Sequence, residues 1–203
     1  MTVQNPRAAE ARRFVFLIAS ARRDGNTELL TRHAAEHLPP GVQQQWLHLM
    51  DLPLPPFVDI RHSVGVYPQP EGHERVLFEA TLAATDLVLA VPLYWYSLPA
   101  SAKLYLDYWS AWLRVPGADF KARMAAKTLW GVSALSDEDP SRADPLVGTL
   151  ALTADYLSMG FGGVLLGYGN KPGEVLADQA ALSRARGFFS AATERKPETV
   201  SAA

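Results

Sequence analysis

Short polar side chains and positive charge are concentrated in the segment SARRDGNT, residues 20–27, between an apolar run and a leucine-rich stretch. Gly25 would allow a tight turn close to a ligand, and the helix expected after it begins with unpaired N–H groups and a partial positive charge. With short donors and a guanidinium added, the pattern predicts a phosphate site. An alternative is that Asn26 or Thr27 only caps the helix. The candidate phosphate ligands are Ser20, Arg22, Asn26 and Thr27.

The loop also limits which phosphate it could bind. A Walker-type triphosphate loop ends in Gly-Lys-Ser/Thr, whereas residues 25–27 read Gly-Asn-Thr. A dinucleotide fingerprint needs three spaced glycines, and this loop contains one. A mononucleotide other than a Walker-type triphosphate is therefore the better prediction.

A second segment, VPLYWYSLPASAKLYLDYW at residues 91–109, places three aromatic residues just beyond an expected strand that ends at Pro92. Aromatic side chains with polar groups at a strand end could line a planar, partly polar ring system. The alternative is a hydrophobic plug under the loop. This stretch alone leaves both interpretations open.

Apolar and helical patterns alternate five times along the chain. Continuously apolar strands favour a parallel sheet buried on both faces, and right-handed crossovers then give a three-layer α/β/α sandwich. Ligands of such sheets bind beyond the carboxyl ends of the strands, which selects the loops after the first, third and fourth strands. The predicted strands are 14–19, 44–50, 86–91, 128–134 and 163–168, and the predicted helices are 27–38, 73–84, 99–113, 146–159 and 176–189.

Together the two segments resemble the NAD(P)H-dependent FMN reductase and quinone reductase branch of the flavodoxin-like proteins, over about residues 14–189. The resemblance implies a flavodoxin-like fold with a five-stranded parallel sheet in the order 2-1-3-4-5. The sequence departs from the family pattern at Ala102, where many members have leucine, and at Tyr108, where arginine is frequent. The matching residues are Ser20, Arg22, Gly25, Asn26 and Thr27 in the first loop, and Pro92, Tyr94, Trp95, Pro99, Ala100, Lys103 and Asp107 in the second.

What the resemblance implies is an FMN-dependent oxidoreductase that takes hydride from NADPH or NADH and passes two electrons to a quinone-like small acceptor. The flavin carries the chemistry, so neither a catalytic side chain nor a metal is expected. The first loop would hold the FMN phosphate, and backbone groups of residues 93–96 would bond the polar edge of the flavin ring. The expected ring contacts are Pro92, Leu93, Tyr94, Trp95, Tyr96 and Ser97 on one side and Ser133 and Ala134 on the other.

Composition narrows the remaining function classes. The 203-residue chain has a formal net charge of −2 and no cysteine. This balance argues against general nucleic-acid binding and against an anionic membrane surface, and it fits a cytoplasmic protein. No apolar run is long enough to span a membrane. We expect a flexible leader at 1–12, one FMN-binding domain at 13–190 and a flexible tail at 191–203.

The predicted helix 99–113 carries more aromatic and leucine side chains than one buried face requires. This surplus predicts a homodimer through the helix, whereas the alternative is a thick local core under the proline-rich loop 51–72. Two rival functions remain: a flavodoxin-type electron carrier for protein partners, and a flavin-free binding module on the same fold. The acceptor, the preference between NADH and NADPH, and the role of loop 51–72 stay open.

Overall fold

Five strands form one parallel sheet in the computed structural model, which describes residues 12–190. The sheet order is β2-β1-β3-β4-β5, and every neighbouring pair is parallel. The predicted flavodoxin-like fold and its strand order are therefore confirmed. The strands are β1 (Arg13–Ile18), β2 (Gln43–His48), β3 (Asp86–Ala90), β4 (Thr128–Leu135) and β5 (Gly160–Tyr168).

Alternate side chains of the central strands enter two separate cores, as burial on both faces requires. In β1, Phe14 and Phe16 pack with one layer of helices, whereas Val15 and Leu17 pack with the other. The first layer contains α1 (Asn26–Ala35) and α6 (Gln179–Phe188). The second contains α2 (Gly72–Ala83), α3 (Ala100–Trp112), α4 (Phe120–Ala125) and α5 (Asp144–Tyr156).

Several elements differ from the sequence prediction. Helix α4 was not predicted; it has six residues and is anchored by the buried Phe120 and Met124. The predicted last helix is divided into a 3-10 helix (Glu174–Ala177) and α6, because Asp178 caps α6 by accepting the N–H of Ala181 at 2.9 Å. Another 3-10 helix, Pro140–Ala143, leads into α5.

Strand β5 begins at Gly160, three positions before its predicted start, and so includes two glycines, Gly160 and Gly162, that lie outside the predicted strand. A Cβ on Gly162 would come within 2.0 Å of the Trp130 ring, so only glycine lets this strand lie against that indole. Gly163 has φ +86°, next to the register shift between β4 and β5. These glycines serve close packing and a bulge inside the strand.

The surplus aromatic residues of α3 lie in the core of the single chain. The Tyr108 hydroxyl donates to the Pro55 carbonyl at 3.1 Å, under the proline-rich loop. The Trp112 indole donates to Glu74 at 2.9 Å, and its ring packs on Phe78 and Phe120. The thick local core therefore accounts for these side chains, and they do not by themselves indicate a second buried surface.

The first described residue contacts the core of the domain. The guanidinium of Arg12, which the prediction placed in the leader, donates to the buried Asp86 with Nε 3.1 Å from Oδ2. The rest of the predicted leader and the predicted tail lie outside the described residues. Within residues 12–190, none of the helices combines the length and the hydropathy needed to cross a bilayer.

Candidate functional site

A cleft of about 300 Å³ opens at the carboxyl ends of the strands, where ligands of doubly wound sheets bind. Segments after β1, β3 and β4 form three of its walls, as the sequence predicted. The loop after β5 forms a fourth wall that the sequence did not predict. The lining residues are Ser20, Arg22, Arg23, Asp24, Gly25, Asn26, Thr27, Pro92, Leu93, Tyr94, Ala134, Ser136, Gly169, Asn170 and Pro172.

Helix α1 begins in this cleft without a side-chain cap. Its N-cap residue is Gly25, which adopts an extended conformation and makes no side-chain capping bond. Asn26 and Thr27 lie inside the helix, so they are not the caps that the alternative interpretation required. The first N–H groups and the positive end of the helix dipole are therefore presented to the cleft.

Two hydroxyls beside this helix start are held in place by bonds that they accept. Ser20 Oγ accepts the N–H of Arg22 at 3.1 Å, and Thr27 Oγ1 accepts the N–H of Ala134 at 3.2 Å. A hydroxyl that accepts a bond still carries one proton to donate. Arg22 adds an exposed guanidinium, so the donor set of this loop suits a phosphate.

The Asn26 side chain, which the sequence suggested as a phosphate ligand, binds the loop after β5 instead. Its amide nitrogen donates to the carbonyls of Gly169 at 2.8 Å and Lys171 at 2.9 Å. Both amide hydrogens are thus used to tie the first loop to the loop after β5, and only the backbone N–H of Asn26 remains for a ligand. A Cβ on Gly169 would lie 2.6 Å from the Val175 nitrogen, so this closure requires glycine.

The loop after β3 ends in a strained two-residue turn. Tyr94 and Ser97 exchange backbone hydrogen bonds of 3.2 and 3.0 Å, and between them Trp95 and Tyr96 have φ of 50° and 63°. A type I′ turn with two left-handed residues normally contains asparagine and glycine. For bulky residues each such conformation costs about 1–2 kcal/mol. Backbone strain of this kind is concentrated at functional sites.

Only some of the residues predicted to contact the flavin ring line the cleft. Pro92, Leu93 and Tyr94 line the cleft, and Ala134 lines it from β4. Trp95, Tyr96 and Ser97 form the exposed tip of the turn, where 93% of Trp95 is accessible. Because strand side chains alternate, Ser133 faces the opposite side of the sheet from Ala134, and its hydroxyl is fully buried there.

Sequence reasoning missed the part that residues after β5 play in the site. The segment GNKPGE at 169–174 carries the glycine and proline signals of a turn, but nothing local shows that the turn reaches α1. In this turn Glu174 accepts the N–H groups of Asn170 and Lys171 at 2.9 and 2.8 Å. The described residues contain no group of three or more histidine, aspartate or glutamate side chains placed to hold a metal ion.

The residues present fit FMN. An uncapped helix start, two hydroxyl donors and a free guanidinium suit a doubly charged phosphate. The proline, leucine and tyrosine wall after β3 suits a planar ring with a polar edge.

The family model described as NADPH-dependent FMN reductase matches residues 12–144. A Bacillus subtilis (strain 168) protein whose name describes an NAD(P)H-dependent FMN-containing oxidoreductase, YwqN, is 32% identical over 165 residues, which cover 81% of this chain and 89% of that protein. The structure of a Trp repressor binding protein from Bacillus subtilis has a TM-score of 0.69 and 26% identity, covering 91% of this chain and 99% of that one. An NAD(P)H:quinone oxidoreductase from Methanothermobacter marburgensis has the same fold, with a TM-score of 0.68, 15% identity and coverage of 91% and 100%.

Proposed function

Because the chain belongs to the NADPH-dependent FMN reductase family, we propose that it transfers hydride from NADPH or NADH, through FMN, to a quinone-like small acceptor. The chain is an FMN-dependent oxidoreductase that uses a reduced nicotinamide; the acceptor and the residue roles are the proposal. The observation that carries them is the cleft at the carboxyl ends of β1, β3 and β4, with an uncapped helix at one end and an aromatic loop at the other.

The first loop holds the phosphate in this proposal. Ser20 and Thr27 donate their hydroxyl protons, Arg22 supplies a charged fork, and Asn26 contributes its backbone N–H. Three of these donors are fixed before the ligand arrives, by the bonds that Ser20 and Thr27 accept and by the side-chain closure of Asn26. Such preorganisation lowers the entropy lost on binding.

The two other loops border the ring. Pro92, Leu93, Tyr94 and Ala134 line the cleft. Pro92, Leu93 and Tyr94 would cover one face of the ring, the backbone of residues 93–96 would meet its polar edge, and Ala134 would lie on the other side. Trp95, Tyr96 and Ser97 form the rim, whereas Ser133 contributes only through its backbone. FMN, when bound, supplies the redox chemistry, and the protein supplies position and electrostatics.

The acceptor is a small planar molecule that enters from the open side of the cleft, over the aromatic rim. Neither a general acid nor a general base is needed from the protein for a two-electron exchange of this kind. Membership of a reductase family favours an enzyme over an electron carrier and over a flavin-free module. The absence of cysteine remains consistent with a cytoplasmic location, which we also propose.

An anaerobic absorption experiment tests the activity. Purified protein saturated with FMN is mixed with NADPH or NADH, and menadione is then added. We expect the flavin bands to bleach with at least one nicotinamide and to return on adding menadione. Bands that resist both nicotinamides would overturn the reductase; bands that bleach but do not recover with menadione would overturn the quinone-like acceptor.

The placement of the phosphate is tested by binding. Replacing Arg22 with Ala should raise the Kd of FMN about tenfold and leave that of riboflavin nearly unchanged, since only FMN carries the phosphate. Arg75→Ala, on α2, is the matched control, and it should alter neither Kd. An equal effect of Arg22→Ala on both flavins would place the phosphate elsewhere.

A homodimer through α3 also remains part of the proposal, carried by leucines of α3 and by residues of α5 instead of by the surplus aromatic side chains. The buried aromatics of α3 belong to the core, but the outer side of α3 and α5 forms an apolar groove of about 420 Å³. Leu152 and Tyr156 on α5 are 72% and 66% exposed there, and Leu106 and Leu113 of α3 line the same groove. A second copy of this face would cover these side chains.

A further inference from the structure

Glu28 is a buried carboxylate in the first turn of α1, directly behind the loop that we assign to phosphate. Only 1% of the residue is exposed. Burying a charged group is costly unless it is paired, and a negative charge beside an anion site would also weaken binding. Glu28 therefore needs partners that offset the cost of burying its charge beside an anion site.

One oxygen of this carboxylate holds the backbone of the loop. Glu28 Oε2 accepts the N–H of Asp24 at 3.1 Å. Asp24 has φ 53°, a left-handed conformation that aspartate adopts only at a cost. The bond therefore fixes the residue at which the chain turns from the arginine pair into α1.

This contact differs from an ordinary capping box. In a capping box the side chain of the third helical residue bonds back to the N–H of the N-cap residue. Here the N-cap is Gly25, yet the bond of Glu28 goes one residue further, to Asp24. The carboxylate thus anchors the loop itself and leaves the N-cap N–H without a bond from this side chain.

The other oxygen has an arginine and a histidine beside it. Glu28 Oε1 accepts Arg32 Nη2 at 2.6 Å and Nε at 3.1 Å, and His48 Nε2 lies 3.4 Å away. Arg32 is held over the Trp46 ring at 4.6 Å. Burial alone would raise the pKa of Glu28, but the hydrogen bonds from Arg32 and Asp24 and the charges of His48 and Arg32 outweigh it and lower the pKa. The group therefore stays ionised at neutral pH, and the Arg32 guanidinium offsets its charge.

We propose that Glu28 is a positioning residue for the flavin phosphate: it fixes the loop through the Asp24 N–H, while the Arg32 guanidinium offsets its charge beside the anion. This inference rests on the proposed assignment of residues 20–27 to phosphate. Glu28 itself touches no ligand; it acts through the shape of the loop.

The experiment compares the binding of FMN and riboflavin to full-length protein freed of flavin, measured by quenching of flavin fluorescence. Glu28→Ala removes both functions of the carboxylate and should raise the Kd of FMN about tenfold, with that of riboflavin changed less than about twofold. Glu28→Gln keeps an oxygen that can accept from Asp24 and should retain most of the preference for FMN. Glu36→Ala, near the other end of the same helix, is the control and should change neither Kd.

Thermal melting of the flavin-free variants separates positioning from general stability. Both Glu28 variants lose the pairing with Arg32 and should melt at lower temperature, but only Glu28→Ala should lose the preference for FMN. Equal weakening of FMN and riboflavin in Glu28→Ala, an unchanged preference, or a loss in both variants that follows their melting temperatures would overturn the inference. If the wild-type protein binds the two flavins equally, the phosphate assignment fails first, and that result is distinct from all of these.

Discussion

At the scale of single residues, Lys127 links stability to pH. It is 5% exposed, and its ammonium donates to the Leu82 carbonyl at 2.9 Å and also to that of Ala84. Burial, and then the nearby charge of Arg123, lower its pKa to about 8, although Asp86 opposes the shift. The folded protein therefore releases this proton at a lower pH than the unfolded chain does.

Because the unfolded chain binds more protons in this window, the free energy of unfolding should rise from pH 8 toward pH 10, by about 1–3 kcal/mol. Urea denaturation at pH 7.5, 8.5 and 9.5 measures this rise. Lys127→Met, which cannot titrate, should show a flatter profile. A wild-type stability that stays level or falls over this range would contradict the prediction. This rise should end near pH 10. Burial raises the pKa of Tyr105 above its usual value, so above that pH the unfolded chain loses the tyrosine proton first and the free energy of unfolding falls.

Residue types and local spacing placed Ser20, Arg22 and Thr27 in the cleft, because a helix start and its donors are adjacent in the sequence. The partner of the Asn26 side chain could not be found in this way, since Gly169 lies 143 positions further along the chain. Ser133 was assigned without knowing the phase of β4. A shift of one residue in a strand exchanges the two faces of the sheet, and Ser133 lies on the face away from the cleft.

At the scale of elements, the turn after β3 should be more stable with the residues that its geometry prefers. Replacing Trp95 with Asn and Tyr96 with Gly should raise the free energy of unfolding of the flavin-free protein by about 1–2 kcal/mol, because both positions have positive φ. Urea denaturation without FMN measures the change. The double variant with Ala at both positions keeps the strain and removes the aromatic rings, so it should show no such gain. A gain of the same size in the Ala variant would refute strain as the cause.

The closure between the first loop and the loop after β5 predicts a sensitive glycine. Gly169→Ala would place a Cβ 2.6 Å from the Val175 nitrogen and 2.8 Å from Asn26 Nδ2. We expect a loss of stability of about 1–3 kcal/mol and weaker FMN binding, measured by urea denaturation and flavin fluorescence. Gly187→Ala is the matched control in α6, where a Cβ meets nothing within 4 Å and should be neutral or stabilising. Equal effects at the two glycines would rule out the closure.

The elements that the sequence did not resolve depend on tertiary contacts. Helix α4 is too short to show a helical period, and its position depends on Phe120 packing against Trp109 and Trp112. The early start of β5 depends on Trp130, a residue 32 positions before Gly162, which fills the space that a side chain would occupy. By contrast, α1 and α3 were located correctly because leucines and alanines recur along them at helical spacing.

At the scale of the whole molecule, the apolar groove between α3 and α5 predicts self-association. Light scattering at micromolar concentration should give twice the 22.2 kDa of one chain. Leu152→Asp puts a charge on the exposed apolar face and should give a monomer. Because Leu152 is exposed, the substitution should not destabilise the fold of the individual chain. Leu176→Asp, in the opposite layer, is the control and should remain dimeric. A monomeric wild-type protein would contradict the homodimer.

The order of the sheet was predicted from the family resemblance, whereas the strand and helix patterns alone indicated only a parallel α/β/α sandwich. The sequence could not show which helix faces take part in assembly, since one apolar stripe can pack against either the core or another chain. Tyr108 and Trp112 illustrate this ambiguity: their partners in the proline-rich loop and on α2 lie 53 and 38 positions away.

Trp95, in the turn after β3, is an intrinsic fluorescence probe of the cleft. The chain contains five tryptophans; Trp109, Trp112 and Trp130 are buried and Trp46 is partly covered, while 93% of Trp95 is accessible. Its indole emits from a water-like environment at the mouth of the cleft, and a soluble quencher such as iodide reaches it before the others. Binding of a nicotinamide, an electron acceptor or a neighbouring chain over this turn should shift the Trp95 emission to shorter wavelength. It should also reduce quenching by iodide, and neither measurement needs an added label.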